Sequence, residues 1–342
     1  MGKGVILGLM LAAVAGPAMA ASTAGPTPVN INTFIRAESD NYLAKNAKEA
    51  GGIGKLKHVR EPASIDDQTI IRLNRDTLYS FGVIDLAAGP ATVALPDAGK
   101  RFMSLMIVNQ DHYTPFVVYG SRPLKLTQQN VGSRYAFVAV RTLVDPNNPK
   151  DLAEVHKLQD GIRITQKDAG KLELPNWDSK SLDAIRTALL ELAKYSPDFR
   201  GAFGAKGTVD PIKHLIGTAA GWGGNPDKDA SYDSFSPPDA SGKTIYRLQV
   251  PKDVPVGAFW SISVYNAKGF FEKNPYNAYS VNNITAAKNK DGSVTVQFGG
   301  CDGKVPNCLP TTEGWNSLVR MYRPQQAILD GKWKFPVPQP MR

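Results

Sequence analysis

The chain is 342 residues long, 42% hydrophobic and 21% charged, with 40 cations against 31 acids for a formal charge of +9. That length supports about two domains with sizeable cores, and the composition excludes a disordered chain, a collagen and a coiled coil. The cation surplus is densest over 315–342, but no Lys/Arg block is interleaved with aromatics, so nucleic acid is excluded as a partner and the charge reads as a solvated basic face.

Residues 1–20 carry Lys3, an apolar run from Val5 to Ala15, the breakers Gly16 and Pro17, and the small-x-small triplet Ala18-Met19-Ala20. This is the pattern of a secretory signal peptide, too short in its apolar run to be a transmembrane segment. It predicts an exported protein, periplasmic or secreted. Residues 21–29 read as a flexible leader. A helix follows from about Asn32, with Ile35, Tyr42 and Leu43 on one face and Gly51-Gly52 at its end. After the turn-rich stretch Arg60–Asp67, strands are predicted at 77–86, 91–96, 102–110, 114–120 and 135–143. Short strands at such spacing, with no helices between them, argue for an antiparallel sandwich.

Helices return with Asn148-Pro149, a cap and first-turn pair for a helix to about Gln159. Ser181 is placed to cap a second, with Leu182, Ile185, Leu189 and Leu192 on one stripe. Asp210-Pro211 starts a third, ended by Gly221-Trp-Gly-Gly224. Residues 225–242 are rich in Pro, Asp, Ser and Gly and read as a linker. Further strands are predicted at 243–250, 258–266, 292–299 and 315–323. Within 258–266, Trp260, Ile262 and Val264 alternate with Ser261, Ser263 and Tyr265, which predicts one face in the core and one facing solvent or a ligand.

Cys301 and Cys308 are the only cysteines and enclose a turn containing Gly303 and Pro306. In an exported protein this reads as a local disulfide. A metal pair would need two more ligands from only four histidines, so no metal is expected. No cofactor is expected either. The chain has no G-x-S-x-G elbow, S-x-x-K pair, H-E-x-x-H or phosphate loop.

Three polar clusters remain. Asn74-Arg75-Asp76-Thr77-Leu78-Tyr79 enters a strand: Arg75 offers a planar fork, Asp76 an acceptor or base, Tyr79 a stacking face with a hydroxyl. The alternative is an Arg75–Asp76 ion pair that pins the turn. Asn109-Gln110-Asp111-His112-Tyr113 ends a strand, and only His112 there titrates near neutrality, as a general acid or base or as a structural histidine. Antiparallel neighbours place the start of one strand beside the end of the next, so these two clusters are expected to meet at one rim. The third cluster, Phe259 to Tyr279, holds seven aromatics in 21 residues. Trp260, Tyr265 and Tyr276 would stack on a sugar or lipid face while Asn274 holds hydroxyls; otherwise the segment is a loop packed by its own rings.

The stretches Arg60-Glu-Pro62, Leu73-Asn-Arg-Asp-Thr-Leu-Tyr79, Val108-Asn-Gln-Asp-His-Tyr113 and Arg141-Thr-Leu-Val-Asp-Pro146 resemble the domain-of-unknown-function family 1254. Phe259-Trp-Ser261, Phe271-Glu-Lys-Asn-Pro-Tyr-Asn-Ala-Tyr-Ser280, Gly299-Gly-Cys301 and Trp333-Lys-Phe335 resemble its usual companion, family 1214. The resemblance implies an exported bacterial protein, mainly β with a small helical part. It implies an immunoglobulin-like sandwich, a helical domain and a jelly-roll-like sandwich, in a group that can be homo-oligomeric. With the pattern reading, this predicts a signal peptide at 1–20, an N-terminal helix and sandwich at 30–165, a helical domain and linker at 166–235, and a C-terminal sandwich at 240–342.

The functional expectation is a protein that binds a small or extended ligand, glycan or lipid-like, at the domain junction. One rival is a hydrolase without a standard motif, using Asp76 or Asp111 with His112. The other is a structural, oligomeric envelope protein.

Overall fold

The computed structural model describes residues 25–68 and 71–341. The expected export signal at 1–20 lies outside the described residues. Helix α1 (Phe34–Glu49) leads to strands β1 (Leu56–His58), β2 (Thr77–Asp85), β3 (Ala91–Ala94), β4 (Met103–Asn109), β5 (Phe116–Tyr119) and β6 (Leu124–Leu126). The short α2 (Gln128–Val131), then β7 (Tyr135–Leu143), α3 (Pro149–Gly161), β8 (Arg163–Gln166), α4 (Ser179–Ala193) and α5 (Pro211–Ala220) follow. The C-terminal part holds β9 (Ala230–Phe235), β10 (Tyr246–Val250), β11 (Trp260–Tyr265), β12 (Ser280–Asn282), β13 (Val294–Phe298) and β14 (Cys308–Leu309). It ends with β15 (Asn316–Tyr322), α6 (Gln326–Leu329) and β16 (Gln339–Pro340).

These strands form four sheets, so the protein is mainly β, as the pattern predicts. A five-stranded sheet ordered β1-β2-β7-β4-β5 faces a three-stranded sheet, β6-β3-β8, across a core that includes Ile84, Val93, Leu105, Leu126 and Val138. The second face of the larger sheet is covered by α1 and Trp222, over Val83, Met106, Val108 and Phe137. Burial on both faces explains why β4 and β7 are unbroken buried runs instead of alternating strands. The C-terminal sandwich packs β12-β11-β15-β9 against β14-β13-β10-β16 around Trp260, Ile262, Val296, Phe298 and Trp315.

Helices α1, α4 and α5 share a small core of Phe34, Leu182, Leu189 and neighbours. The capping pairs act as expected: Asn148 Oδ1 accepts from Lys150 N and Asp210 Oδ1 from Lys213 N. Helix α4 differs. Asp178, three residues before Ser181, accepts the Ser181 N–H at 2.8 Å and caps the helix, and Leu192 falls off the buried stripe at 55% exposure.

Two expectations about connecting segments change, and one about a strand. Residues 25–29 of the leader are tied down: Thr27 exchanges backbone hydrogen bonds with Asn176 and Asp178, and Val29 is buried. The linker region contains strand β9, paired along its length with β15. Its polar sequence hides the strand because only Ala230 and Ser231 are fully buried. Strand β11 has no solvent face; all six residues are buried, because its serine face packs against the N-terminal part.

Cys301 and Cys308 form a disulfide. The bond closes the loop that Tyr276 latches through a 2.9 Å hydrogen bond to the Cys301 carbonyl. Replacing both cysteines with serine should cost ~2–3 kcal/mol, the chain-entropy scale for so short a loop. Urea unfolding measures it, and an unchanged midpoint would refute it.

Candidate functional site

The two N-terminal clusters do not meet. Strand β7 lies between β2 and β4 and runs antiparallel to each, so β2 and β4 are parallel to one another. Thr77 at the start of β2 is opposite Leu143, whereas Asn109 at the end of β4 is opposite Ala136. At ~3.3 Å per residue, that separates Asp76 from Asp111 and His112 by roughly 20 Å along the sheet. The shared rim would require β2 and β4 to be direct neighbours. The inserted strand removes it.

Asp111 and His112 also fail as an acid–base pair. Asp111 takes Arg36 Nε at 3.0 Å and is committed to α1. The His112 ring is buried, and its Nε2 accepts the Gly223 N–H at 2.8 Å. That acceptor role puts the ring proton on Nδ1, which lies 2.8 Å from the Thr218 hydroxyl. Burial, with the neighbouring His214, pushes its pKa down to about 3. A neutral histidine with both nitrogens engaged has no proton to exchange at neutral pH.

Arg75 and Asp76 do not pair either. Arg75 donates to the Ala63 carbonyl and stands 5.1 Å over the Tyr279 ring. Asp76 is buried; its Oδ1 is 3.4 Å from the Ser280 hydroxyl, and its Oδ2 makes no hydrogen bond of good geometry. Burial pushes its pKa up, opposed by the Arg320 guanidinium and by Ser261, Asn282 and Ser280 beside it. Arg320 holds this junction: it donates to Ser263 Oγ at 3.0 Å, the Arg72 carbonyl at 2.7 Å and the Tyr265 hydroxyl at 2.8 Å.

The aromatic segment is mostly architecture. Trp260 is in the C-terminal core against Phe335, so it is not available to a ligand. Tyr265 is buried and gives its proton to the Leu73 carbonyl at 2.7 Å. Asn274 staples its own loop, taking the N–H groups of Tyr276 and Ala278 and donating to the Ala278 carbonyl. Tyr276 alone keeps an exposed ring, at 41%. The strand period predicts Trp260 and Tyr265 on opposite faces, and tertiary packing buries both.

What does open to solvent is a cleft of about 280 Å³ between the two parts. One wall is the β3–β4 connection with Lys100 and Phe102, together with Tyr119 at the end of β5; the other is Ala258, Phe259, Ile284 and Arg323. Its floor is a ring cluster: the half-buried Phe102 and Tyr119 stand 5.9 Å apart, and the buried Phe259 backs Phe102 at 5.3 Å with Tyr322 stacked behind it at 4.2 Å. The Arg323 guanidinium lies 4.7 Å over the Tyr119 ring, whose hydroxyl is fixed by Asp229 at 2.9 Å. Lys100 and Arg323 are exposed and form no ion pair among the described residues. A cleft with an apolar floor and free cations at its rim can hold an apolar body by its rings and an anionic group by its edge. Sequence reasoning passed over Phe102, Tyr119 and Arg323. They lie on three separate strand ends; composition marked the stretches holding Phe259 and Arg323, the aromatic cluster and the basic run over 315–342, but not Phe102 or Tyr119.

Among the described residues no helix is long and apolar enough to cross a membrane. No curated protein matches the sequence. The VPA0106 protein from Vibrio parahaemolyticus has a similar structure, with a TM-score of 0.68 at 19% identity over 91% of this chain and 98% of that one. A putative uncharacterized protein from Burkholderia cenocepacia gives 0.50 at 15% identity over 91% and 87%. At such identities the likeness is one of fold. Two family models match the sequence, each described as a protein of unknown function: DUF1254 over residues 53–139 and DUF1214 over 230–326. The first spans β1 to the middle of β7 and the second β9 to β15, so both domains are matched in that order along the chain.

Proposed function

We propose that this is a binding protein of the periplasm or exterior that takes a small amphipathic anion, lipid-like or aromatic in its body, in the junction cleft. The observation that carries the reading is the pairing of a Phe102–Tyr119–Phe259 floor with unpaired Arg323 and Lys100 at the rim. A neutral glycan finds less to hold there. The lining has no side-chain amide or aliphatic hydroxyl, and its one carboxylate, Asp97, is turned to the Gly99 N–H at 2.9 Å. The disulfide fits a compartment outside the cytoplasm.

Calorimetric titration with octanoate and phenylacetate, against octyl glucoside as the neutral counterpart, tests the reading. At least one anion should bind, and the neutral amphiphile more weakly. Arg323→Ala should weaken the anion about tenfold or more, the scale of a charge-assisted hydrogen bond in a half-dry site. Equal binding by wild type and Arg323→Ala, or no binding by either anion, would sink it.

A further inference from the structure

A second polar cluster, which shares with the cleft only the Tyr322 ring behind Phe259, gathers around Arg141. In the five-stranded sheet Arg141 is directly opposite Tyr79 on one side and Ser104 on the other. In the C-terminal sheet the row Asn282, Ser261, Arg320, Tyr232 runs across four strands. The two sheets thus meet over polar residues, with Asn74 and Tyr322 bonded across the junction at 2.8 Å.

Arg141 is 8% exposed, and no carboxylate among the described residues pairs with it. A guanidinium has five N–H donors. Among the described residues the acceptors that Arg141 meets are the Gly223 carbonyl at 3.2 Å and the weak thioether of Met106 at 3.8 Å, and its guanidinium lies 5.4 Å over the Tyr79 ring, which offsets a missing counter-charge only in part. Burying a cation without a counter-charge is costly, and such a group draws an anion to itself.

The surrounding hydroxyls point to the same ligand. Asn74 Nδ2 donates to Tyr322 at 2.8 Å and lies 3.4 Å from the Tyr79 hydroxyl; Asn225 Nδ2 donates to Tyr232 at 3.1 Å. The orientation of Asn74 is fixed, because its Oδ1 takes the Asp76 N–H at 2.8 Å. A phenol that accepts from an amide keeps its own proton to give, and none of these three hydroxyls donates to an acceptor among the described residues, unlike Tyr119, which donates to Asp229. The group around Arg141 is therefore rich in donors and poor in acceptors. It reaches solvent through Tyr232, which is 42% exposed.

We propose that Arg141, with the hydroxyls of Tyr79, Tyr232 and Tyr322, is an oxyanion-binding site for a carboxylate or a phosphate. The planar guanidinium supplies the paired donors that either group accepts, and the phenols complete its coordination. Burial raises the pKa of Tyr79, but the Arg141 charge and the hydrogen bonds of Thr77 and Asn74 outweigh it, so the phenol ionises below its ordinary range. A tyrosinate would compete with the bound anion, and binding is lost as pH rises through that ionisation.

The test is thermal shift and calorimetry on the full chain with acetate and with inorganic phosphate, at constant ionic strength against chloride. One of the two should stabilise the protein beyond chloride, which identifies the class. Arg141→Met should weaken that anion at least tenfold, and Tyr232→Phe several-fold, while Arg323→Ala in the cleft leaves it unchanged. If neither anion exceeds chloride, or if Arg141→Met responds as wild type does, the proposal is wrong. Should Arg141→Met not fold, the Tyr79→Phe/Tyr232→Phe double variant removes only two oxygens, and unchanged affinity there overturns the site equally. Because the cleft is read by Arg323 and this site by Arg141, either can fail without the other.

Discussion

His112→Asn should destabilise the protein by ~2–4 kcal/mol, the scale of losing a buried ring together with its hydrogen bonds. The imidazole is sandwiched between Trp222, 5.5 Å away, and His214, 5.4 Å away. It joins the end of β4 to α5 through Thr218 and to the following loop through Gly223. Asparagine suits the test because position 112 has a φ of +61°, a conformation it tolerates better than most residues. The variant should also respond differently to acid. The folded-state pKa of His112, about 3, lies below the ordinary value near 6.5, so between these values the unfolded chain binds a proton that the folded protein refuses. The His112 contribution is therefore complete above pH ~6.5 and is lost as pH falls toward 3, at up to ~1.4 kcal/mol per pH unit. Urea unfolding at pH 7 and pH 5 should show a shallower acid loss in His112→Asn than in wild type. Equal midpoints at pH 7 would mean that the ring holds nothing together, and would return His112 to the list of chemical candidates.

Arg320→Ala is expected to cost ~3–5 kcal/mol, as removing one member of a buried charge network does. Its guanidinium ties strand β15 to the carbonyls of Arg72 and Leu73, to Ser263 and to the Tyr265 hydroxyl. It is also the charge that opposes protonation of buried Asp76. Truncation takes the donor from the Arg72 carbonyl, leaves Leu73 with the Tyr265 hydroxyl alone, and removes the cation that opposes protonation of Asp76. Arg320→Lys keeps the charge but not the planar fork and should recover only part of the loss. Limited proteolysis gives a second readout: cleavage near Arg72 should accelerate in Arg320→Ala, because this side chain holds the Arg72 and Leu73 carbonyls to the C-terminal sheet. A variant with wild-type midpoint and wild-type cleavage would show that the junction does not depend on Arg320.

Much of the architecture is a local property of the chain and was legible in it. Asn148-Pro149 and Asp210-Pro211 start helices because side chain and φ act within one turn. The apolar runs of β2, β4 and β7 announce strands, and two cysteines seven positions apart close their own loop. Strands β1, β6, β8 and β9 were invisible for the same reason: at three to six residues with half-exposed sequences they carry no period, and they form only because a partner strand offers its edge. The clusters at 74–79 and 109–113 were recognisable as polar groups at strand ends. Whether they met depended on which strand lies between β2 and β4, and that is β7, which follows both in sequence. The cleft and the Arg141 site depend on still more distant pairings, such as Asn74 with Tyr322, 248 residues apart. Segment chemistry decided what each strand end could offer; strand order and register decided which ends face one another, because those are set by the packing of whole sheets and by no single stretch of chain.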